Sequence, residues 1–446
     1  MLEYIGIISF LMTNRKTIYW GEQTQKALDN FPFSTPKTPS GLIGAFAQIK
    51  LAAVTANYAI KRVNRKQFLA IARACQEILQ DKLTDQFILP ALQGGAGTSL
   101  HMNVNEVIAR RASELSGIRI HPNDQVNLGQ STNDVNPSAL KLESYKQVDR
   151  LEGVVLEAIK VLKKLSQKNQ HQLKLGRTHL QDAVPITLGE EFLAYADTIA
   201  MEWNKVKVAQ KNLLHLNLGG TAVGNSVNAP LAFRQAMYRA LRKITKCQFQ
   251  EAKNKMAQTG TAWDFVSLSS ALTGLAGAFS KMASDLRLLA SGPKGGLGEI
   301  SLPELQKGSS IMPGKVNPVL LEALNQVYFL VSGNNHTIEL AGASAQLELS
   351  AMGPVIAFRL LESLTLLREV IQVTTEKCLK LITIHSDECL KHLKASTAVA
   401  TLFTPVLGYE TVSVLVKESI KTQTDFVSLL KSKGLLSEAQ IYKLLN

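Results

Sequence analysis

Long stretches with helical periodicity limit what this chain can fold into. Apolar residues recur at three- and four-residue spacing from Leu151 to Leu165, which is typical of an amphipathic helix. Similar patterns cover 188–216, 229–244, 261–291, 319–340 and 354–381. Almost no stretch alternates with a period of two. Helices of this length are typical of a long bundle, so the sequence predicts an all-α fold.

The pattern at 319–340 adds a second constraint. It is apolar on much of its circumference, as Val319, Leu324 and Val331 show, and such a helix needs burial on most sides. We expect partner subunits to supply part of that burial. We predict a three-domain subunit: a mostly helical domain at 1–138, a central long-helix bundle at 139–392 and a small carboxyl-terminal domain at 393–446.

The two ends of the chain carry shorter patterns. Residues 41–60 and 66–81 are rich in Ala, Ile and Leu at helical spacing, and two Gly/Asn-rich interruptions follow at 93–105 and 121–137. Near the other end, Ser437 can cap a short final helix.

Charge and composition narrow the class of partner. The chain has 446 residues, 46% of them hydrophobic, and a formal net charge of +13. This positive charge could attract nucleic acid, a membrane surface or an anionic small molecule. The basic residues are scattered and lack interleaved aromatic residues. We therefore expect no nucleic-acid partner, and attraction of a small acidic substrate fits better.

Cysteine usage points to a reducing compartment. The four cysteines, Cys75, Cys247, Cys378 and Cys389, have no CxxC spacing and no accompanying histidine cluster. We therefore expect no disulfide framework, no metal site and a cytoplasmic location.

The mostly apolar run at 5–11 is too short to span a bilayer, and it lacks a basic start or a clear cleavage site. We expect no membrane association. Met12 follows this run, so we hypothesise that residues 1–11 come from a misassigned upstream start.

Two polar loops in the amino-terminal third could bind an anion. In the first, at 94–99, three glycines before Thr98 let backbone N–H groups approach a ligand closely, and a helix pattern starts nearby at Asn105. Such a loop can equally be an ordinary turn. The second holds Ser131, Thr132 and Asn133, whose short side chains suit a helix cap and suit a carboxylate-binding site equally well.

Two further polar loops carry groups able to move protons. In the loop at 176–182, His179 follows Thr178, and a lone loop histidine can be structural or catalytic. The loop at 308–318 reads Gly-Ser-Ser-Ile-Met-Pro-Gly-Lys-Val-Asn-Pro. It can be a polar surface turn, or a mobile lid with Ser309 as proton acceptor and Lys315 as cation. Glu322, one turn into the next helix, suits a helix start or could orient a histidine.

In order and wording, these four loops resemble those of the fumarase/aspartase superfamily, and the 308–318 string resembles its signature. The resemblance extends over nearly the whole chain. It implies a mostly helical three-domain subunit whose long helices form the core of a homotetramer, with each active site taking loops from three subunits. It also implies anti β-elimination from a small dicarboxylate, with release of fumarate and no cofactor.

The resemblance implies a role for each matching side chain. Ser309 is expected to be the base, and Lys315 and Asn317 are expected to bind and neutralise the substrate. Glu322 is expected to orient His179. The expected contacts to the substrate's carboxylates and leaving group come from Thr98, Ser131, Thr132, Asn133, Thr178 and His179. An accessory-site string is matched by His121, Asn123 and Asp124.

Two branches of the family compete for the substrate. The strings at 94–99, 131–134 and 180–186 resemble the branch that converts L-aspartate to fumarate and ammonia, and we favour that reaction. The strings at 19–24 and 219–224 are closer to the branch that converts malate to fumarate and water.

The chain departs from the family pattern near the first loop. His101 stands where the family usually has Asn, and this departure puts the choice between the two substrates in question. Two other departures are the missing basic-acidic motif upstream of Tyr19 and Phe-Thr-Pro at 403–405 in place of Leu-Asn-Pro. Some members, the crystallins, keep the fold as structural proteins. The presence of Ser309, Lys315, His179 and Glu322 argues against that function here.

Overall fold

The structure is a computed structural model that describes residues 17–445. The hypothesis of an upstream start at residues 1–11 concerns a segment outside the described residues. The chain forms two compact units. Among the described residues, the first comprises 17–148, 208–270 and 333–363, and the second comprises 149–207, 271–332 and 364–445. The three-domain division stays a prediction.

The described residues are mostly helical. The first helices are α1 (Glu22–Asn30), α2 (Ser40–Ala59), α3 (Arg65–Leu79) and α4 (Thr98–Ser116). The middle of the chain forms α5 (Thr132–Lys168), α6 (Leu188–Asn212), α7 (Leu231–Thr245), α8 (Lys255–Gly260), α9 (Trp263–Leu289), α10 (Val319–Ala343) and α11 (Gly353–Lys377). The last are α12 (Ser386–Ala395), α13 (Thr404–Leu407), α14 (Tyr409–Thr422), α15 (Phe426–Ser432) and α16 (Glu438–Leu445).

Short strands complete the secondary structure. Strands β1 (Leu173–Thr178) and β2 (Gln181–Thr187) form an antiparallel hairpin in which Leu173 faces Thr187. The other strands have two residues each: β3 (His215–Leu216) pairs in parallel with β4 (Gln250–Glu251), and β5 (Ile300–Ser301) pairs antiparallel with β6 (Thr383–Ile384). Single helical turns of other types lie at Thr84–Gln86, Gly95–Gly97, Pro122–Val126, Leu379–Leu381 and Thr397–Leu402.

In the first unit, α2 is a central buried element. It packs against α3 and α7. Its side chains are apolar on most sides, and Phe46 and Ile49 are fully buried. The neighbouring α3 starts with a capping box in which Asn64 and Gln67 exchange side-chain to backbone hydrogen bonds.

In the second unit, the β1–β2 hairpin joins the carboxyl-terminal helices. Leu175 of β1 lies in one buried apolar cluster with Leu393, Phe403, Phe426 and Leu430. The alternating burial of β1 is short and irregular, because the register shifts between Leu175 and Arg177. The hairpin therefore has no clear period-two pattern, and the sequence indicated only a loop there.

Most long helices were predicted within a few residues of their observed bounds, but α5 begins at Thr132, well before the pattern predicted from Leu151. Helices α5 to α7 and α9 to α11 contain the predicted cores, and the mostly helical fold class is confirmed. The helix start predicted at Asn105 was wrong, since α4 begins at Thr98. Glycines with positive φ at 95 and 97 end the turn early, and the side chain of Gln93 accepts the backbone N–H of Leu100. The predicted cap of the last helix is present, since Ser437 accepts the backbone N–H of Gln440.

The segment between α6 and α7 contains a glycine that no other residue can replace easily. Gly224 has φ +89°, and a Cβ built on it would lie 2.4 Å from the backbone nitrogen of Met256. Gly117, at the end of α4, also has positive φ, but nothing lies within 4 Å of its Cβ position. An added Cβ would therefore meet both backbone strain and a backbone clash at Gly224, but only backbone strain at Gly117.

We predict that Gly224→Ala lowers the free energy of unfolding by about 3 kcal/mol, because left-handed backbone strain adds to a backbone clash. Gly117→Ala should lower it by only about 1 kcal/mol, from the backbone strain alone. Urea unfolding followed by circular dichroism measures both. Equal losses in the two variants would contradict the close-approach argument.

Candidate active site

The first candidate loop is a tight turn that ends where α4 begins. Gly95, Ala96 and Gly97 all have positive φ, and the Thr98 hydroxyl donates to the Gly95 carbonyl at 2.6 Å. The turn is tied to α5, because the side chain of Asn136 donates to the Ala96 carbonyl at 2.8 Å. Thr98 is exposed at the amino terminus of its helix, where free N–H groups favour an anion.

The second candidate loop depends on the buried carboxylate of Asp134. One oxygen accepts the backbone N–H of Ser131 at 2.9 Å. The other accepts the N–H groups of Gly219 at 3.0 Å and Thr221 at 2.9 Å. Burial raises the pKa of Asp134 to about 6, against the lowering effect of these three N–H groups and of Lys50. The loop also caps α5, because the Ser131 hydroxyl accepts the backbone N–H of Asn133 at 3.3 Å while Asp134 accepts the backbone N–H of Ser131.

Asn133 is held by the segment that follows β3. Its side chain donates to the Ala222 carbonyl at 2.8 Å, and its own carbonyl accepts from the side chain of Asn217 at 3.0 Å. The sequence did not indicate Asn217 as part of the site. The nearby glycine-rich string at 219–224 was the available signal, because tight turns with free N–H groups often bind carboxylates.

Behind Thr132 lies a buried polar chain, of which the sequence had indicated only His101 beyond Thr132 itself. The hydroxyl of Thr132 is 2.8 Å from Nδ1 of His101, and Nε2 of His101 is 2.6 Å from Nζ of Lys50. Lys50 is fully buried, and burial lowers its pKa to about 7. Burial and the adjacent Lys50 hold the pKa of His101 well below its usual range. A lysine within an apolar helix pattern gives no sign of this role.

In the first unit, the structure brings part of the predicted site together. Thr132 and Asn133 line a small cavity with Ala96, Gln258 and Ser350. Thr98 lies two residues after Ala96, and Ser131 precedes Thr132 directly. The first unit thus contributes hydroxyl and amide groups around the amino-terminal ends of two helices.

In the second unit, Thr178 and His179 lie at the tip of the β1–β2 hairpin. His179 and Leu180 have φ of 55° and 60°, which places both turn residues in the left-handed region, and the His179 side chain is exposed. Strand β1 is held by Glu299, whose buried carboxylate contacts Lys174 at 3.0 Å and Arg177 at 2.8 Å.

Glu299 stays ionised in its buried position. Burial acts to raise its pKa, but Lys174, His392 and Arg177 outweigh that effect and hold the pKa below its ordinary value. Glu299 directly precedes β5, the strand before the 308–318 loop. One carboxylate therefore joins the histidine hairpin to the segment that leads into that loop.

The 308–318 loop is closed at its base and exposed along its length. Asn317 donates from its side chain to the Gly308 carbonyl at 2.8 Å, and a Cβ on Gly308 would lie 2.0 Å from the Lys315 carbonyl. The Ser309 hydroxyl accepts the Ile311 N–H at 3.2 Å, and Lys315 is exposed. The Ile311 side chain is 82% exposed, so the loop presents both an apolar and a basic side chain to solvent.

Glu322 lies in the first turn of α10 and pairs with Arg287 at 3.7 Å. Among residues 17–445 of this one chain, no hydrogen bond or ion pair joins Glu322 to His179. The orienting contact between them therefore stays a prediction. Arg287 is a partner that the sequence did not indicate, and it also donates to the side chain of Asn325 at 2.8 Å.

The accessory residues form a local cap. The Nδ1 atom of His121 accepts the backbone N–H groups of Asn123 and Asp124, both at 3.3 Å. All three belong to the short turn before the second candidate loop. Their role as an accessory site stays a prediction.

Within residues 17–445, no three His, Cys, Asp or Glu side chains are grouped so that they could hold a metal ion. Over the same part of the chain, no helix has both the length and the hydropathy needed to cross a membrane.

Comparison with known proteins gives consistent matches. The model of a family described as Lyase matches residues 12–333. The chain is 40% identical over 435 residues to an aspartate ammonia-lyase of Bacillus subtilis, covering 96% of this chain and 92% of the relative. It is 37% identical to a class II fumarate hydratase of Mesorhizobium japonicum, covering 96% and 93%.

A solved structure matches equally fully. The chain superimposes with a TM-score of 0.92 on fumarate lyase:delta crystallin from Brucella melitensis bound to cobalt. The two are 38% identical, and the match covers 96% of this chain and 95% of the other.

We predict that Asp134→Asn lowers the free energy of unfolding by about 2–4 kcal/mol. The new amide group would face backbone donors in a buried place and leave at least one of them without an acceptor. Urea unfolding at neutral pH measures the change. A loss below about 0.5 kcal/mol would contradict the central place given to this carboxylate.

Proposed function

The chain belongs to the Lyase family, the fumarase/aspartase superfamily, and we propose that it is an aspartate ammonia-lyase, which converts L-aspartate reversibly to fumarate and ammonia by anti β-elimination. The observation that carries the proposal is the near full-length match to the Bacillus subtilis aspartate ammonia-lyase. Supporting it, all four polar loops are present as hydrogen-bonding segments at helix starts, a hairpin tip and an exposed loop.

The difficult step is removal of a C–H proton next to a carboxylate, because a second negative charge develops on that carboxylate. Ser309 as the base accepts this proton on its ionised Oγ. The electron pair left behind forms the double bond, and the C–N bond breaks so that ammonia leaves. Ser309 must first be held as an alkoxide, and Lys315 is the cation that the same loop supplies. Closing the loop would exclude water and strengthen the field of Lys315.

Substrate binding uses neutral hydrogen-bond donors. Thr98, Ser131, Thr132 and Asn133 offer hydroxyl and amide groups beside the amino termini of α4 and α5, where the helix dipole favours a carboxylate. Thr178, His179 and Asn317 are assigned to the remaining carboxylate and leaving-group contacts. Glu322 is assigned to orient His179 across a subunit contact.

The assembly is proposed to be a cytoplasmic homotetramer of three-domain subunits with shared active sites. Large apolar side chains are exposed along two of the long helices in one chain: Met201 and Val208 on α6, and Phe329, Leu330 and Leu340 on α10. Rows of exposed apolar side chains on long helices favour association. His179 and Glu322, which share no hydrogen bond within residues 17–445 of one chain, can then meet between chains.

The runner-up is class II fumarate hydratase, which the match to the Mesorhizobium japonicum enzyme favours. Ultraviolet absorbance of fumarate separates the two candidates. We expect absorbance to rise when L-aspartate is added to the purified protein and to stay flat with L-malate. A rise with malate alone would overturn the choice of substrate, and no rise with either would refute both activities.

Ser309→Ala tests the base. We predict that turnover of aspartate falls by about two to four orders of magnitude, because a proton-transfer group is lost. The matched control is Ser310→Ala, which removes the neighbouring hydroxyl and should leave turnover near native. Circular dichroism and gel filtration establish that both variants fold and assemble. Near-native turnover in Ser309→Ala would remove this residue from the role of base.

A further inference from the structure

The buried ammonium group of Lys50 has three hydrogen-bond partners, one for each of its N–H donors. Its Nζ atom lies 2.6 Å from Nε2 of His101, 2.9 Å from Oδ1 of Asn127 and 3.0 Å from Oε1 of Gln130. A charged lysine has three N–H donors and no acceptor. Each donor thus has one partner, and none of the three partners is a carboxylate.

Two of these acceptors are fixed in orientation by the backbone. The amide nitrogen of Gln130 donates to the Val126 carbonyl at 3.0 Å, and that of Asn127 donates to the Gln130 carbonyl at 3.4 Å. Because carbonyls only accept, both side chains must direct their oxygens toward Lys50. Two of the lysine's N–H groups are therefore committed whatever its charge.

The third partner is His101, and the hydrogen bond from Lys50 determines which nitrogen of its ring carries the proton. A neutral imidazole has one donor and one acceptor nitrogen, and burial keeps this ring neutral. When Lys50 is charged, its third N–H donates to Nε2, so the ring proton lies on Nδ1. Nδ1 then donates to the Thr132 hydroxyl at 2.8 Å, and the hydroxyl proton is free to bond elsewhere.

We propose that Lys50 is a positioning residue for substrate binding. By donating to Nε2 of His101, it turns the Thr132 hydroxyl proton toward the substrate's carboxylate. This inference rests on the proposed function, in which Thr132 contacts that carboxylate. Thr132 lines the small cavity beside Asn133, which gives its hydroxyl proton a place to reach a ligand.

When Lys50 loses its proton, the hydrogen bonds from Lys50 through His101 to Thr132 reverse their donor and acceptor directions. A neutral lysine keeps two N–H donors for Asn127 and Gln130, and its lone pair can accept from Nε2 of His101. The ring proton then lies on Nε2, and Nδ1 accepts the Thr132 hydroxyl proton. The hydroxyl presents only its lone pairs to a carboxylate, which repels them.

The charges around Lys50 allow this change near neutral pH. Burial lowers the pKa of Lys50 to about 7, while Asp134 on α5 and Cys75 on α3 act in the opposite direction. Burial raises the pKa of the Cys75 thiol to about 12, so this thiol stays neutral. Asp134 is mostly ionised above its pKa of about 6. Above about pH 7, Lys50 is therefore the group in this cluster whose charge still changes.

A dicarboxylate binds the form in which Lys50 is protonated, so binding raises the pKa of Lys50 and takes up a proton above about pH 7. Affinity must fall as pH rises through that range. Loss of one hydrogen bond to a charged ligand corresponds to roughly a tenfold loss of affinity or more.

The test is calorimetric titration of the purified assembly with succinate, a dicarboxylate that has no leaving group. In native protein we expect the affinity to fall about tenfold or more between about pH 6.5 and pH 8.5, with proton uptake seen in buffers of different ionisation enthalpy. His101→Asn should bind succinate with less proton uptake and a weaker pH dependence than native protein, because the shorter side chain ends short of Lys50.

Two lysine variants distinguish the hydrogen-bond chain from Lys50 through His101 to Thr132 from a general effect of removing a buried lysine. Lys50→Met should bind more weakly at neutral pH and show a weaker pH dependence than native protein. Lys141→Met removes another buried lysine of the first unit, one that pairs with Asp264, and should keep the native pH profile even if stability falls.

Three results would overturn the inference: native proton uptake in His101→Asn, pH-independent affinity in native protein, or no succinate binding at all. Succinate binding involves no chemistry. If aspartate yields no fumarate but succinate binding is still linked to proton uptake, the proposed reaction is wrong and the proposed role of Lys50 is retained.

Discussion

The buried carboxylate of Asp134 is the interaction on which the rest of the first unit's site depends. Its two oxygens accept three backbone N–H groups, from Ser131, Gly219 and Thr221. Each is an amide left without a partner by a helix start or a tight turn, and an unpaired buried amide costs about 1–3 kcal/mol. One side chain thus fixes the start of α5 against a segment more than eighty residues away in the sequence.

A common arrangement follows in both units: the groups proposed to contact substrate are accessible, and those that hold them are buried. Thr98, His179 and Lys315 are exposed, whereas Asp134, Lys50 and Glu299 are almost completely buried. Buried polar groups position well because their hydrogen bonds have no competing water. They also carry a large penalty if one partner is lost. The accuracy of the site therefore depends on residues that never meet the substrate.

The sequence predicted the parts of the structure that arise from local pattern. Amphipathic spacing located the long helices, and glycine-rich and hydroxyl-rich strings located the loops, because both signals depend on neighbouring residues. It could not predict contacts between distant segments. Asn217 beside Asn133, Arg287 beside Glu322, and the chain from Lys50 through His101 to Thr132 join residues 31 to 84 positions apart. The β1–β2 hairpin was missed for a related reason, since its register shift breaks the alternation.

The central claim is that loops from different chains complete one lyase site. Subunit complementation tests it most directly: Ser309→Ala and His179→Ala proteins are mixed, unfolded, refolded together and assayed for fumarate from aspartate. Hybrid assemblies should regain activity that neither parent shows, because a native Ser309 from one chain can meet a native His179 from another. If each parent is inactive and the refolded mixture assembles but stays inactive, the account of a shared site is contradicted.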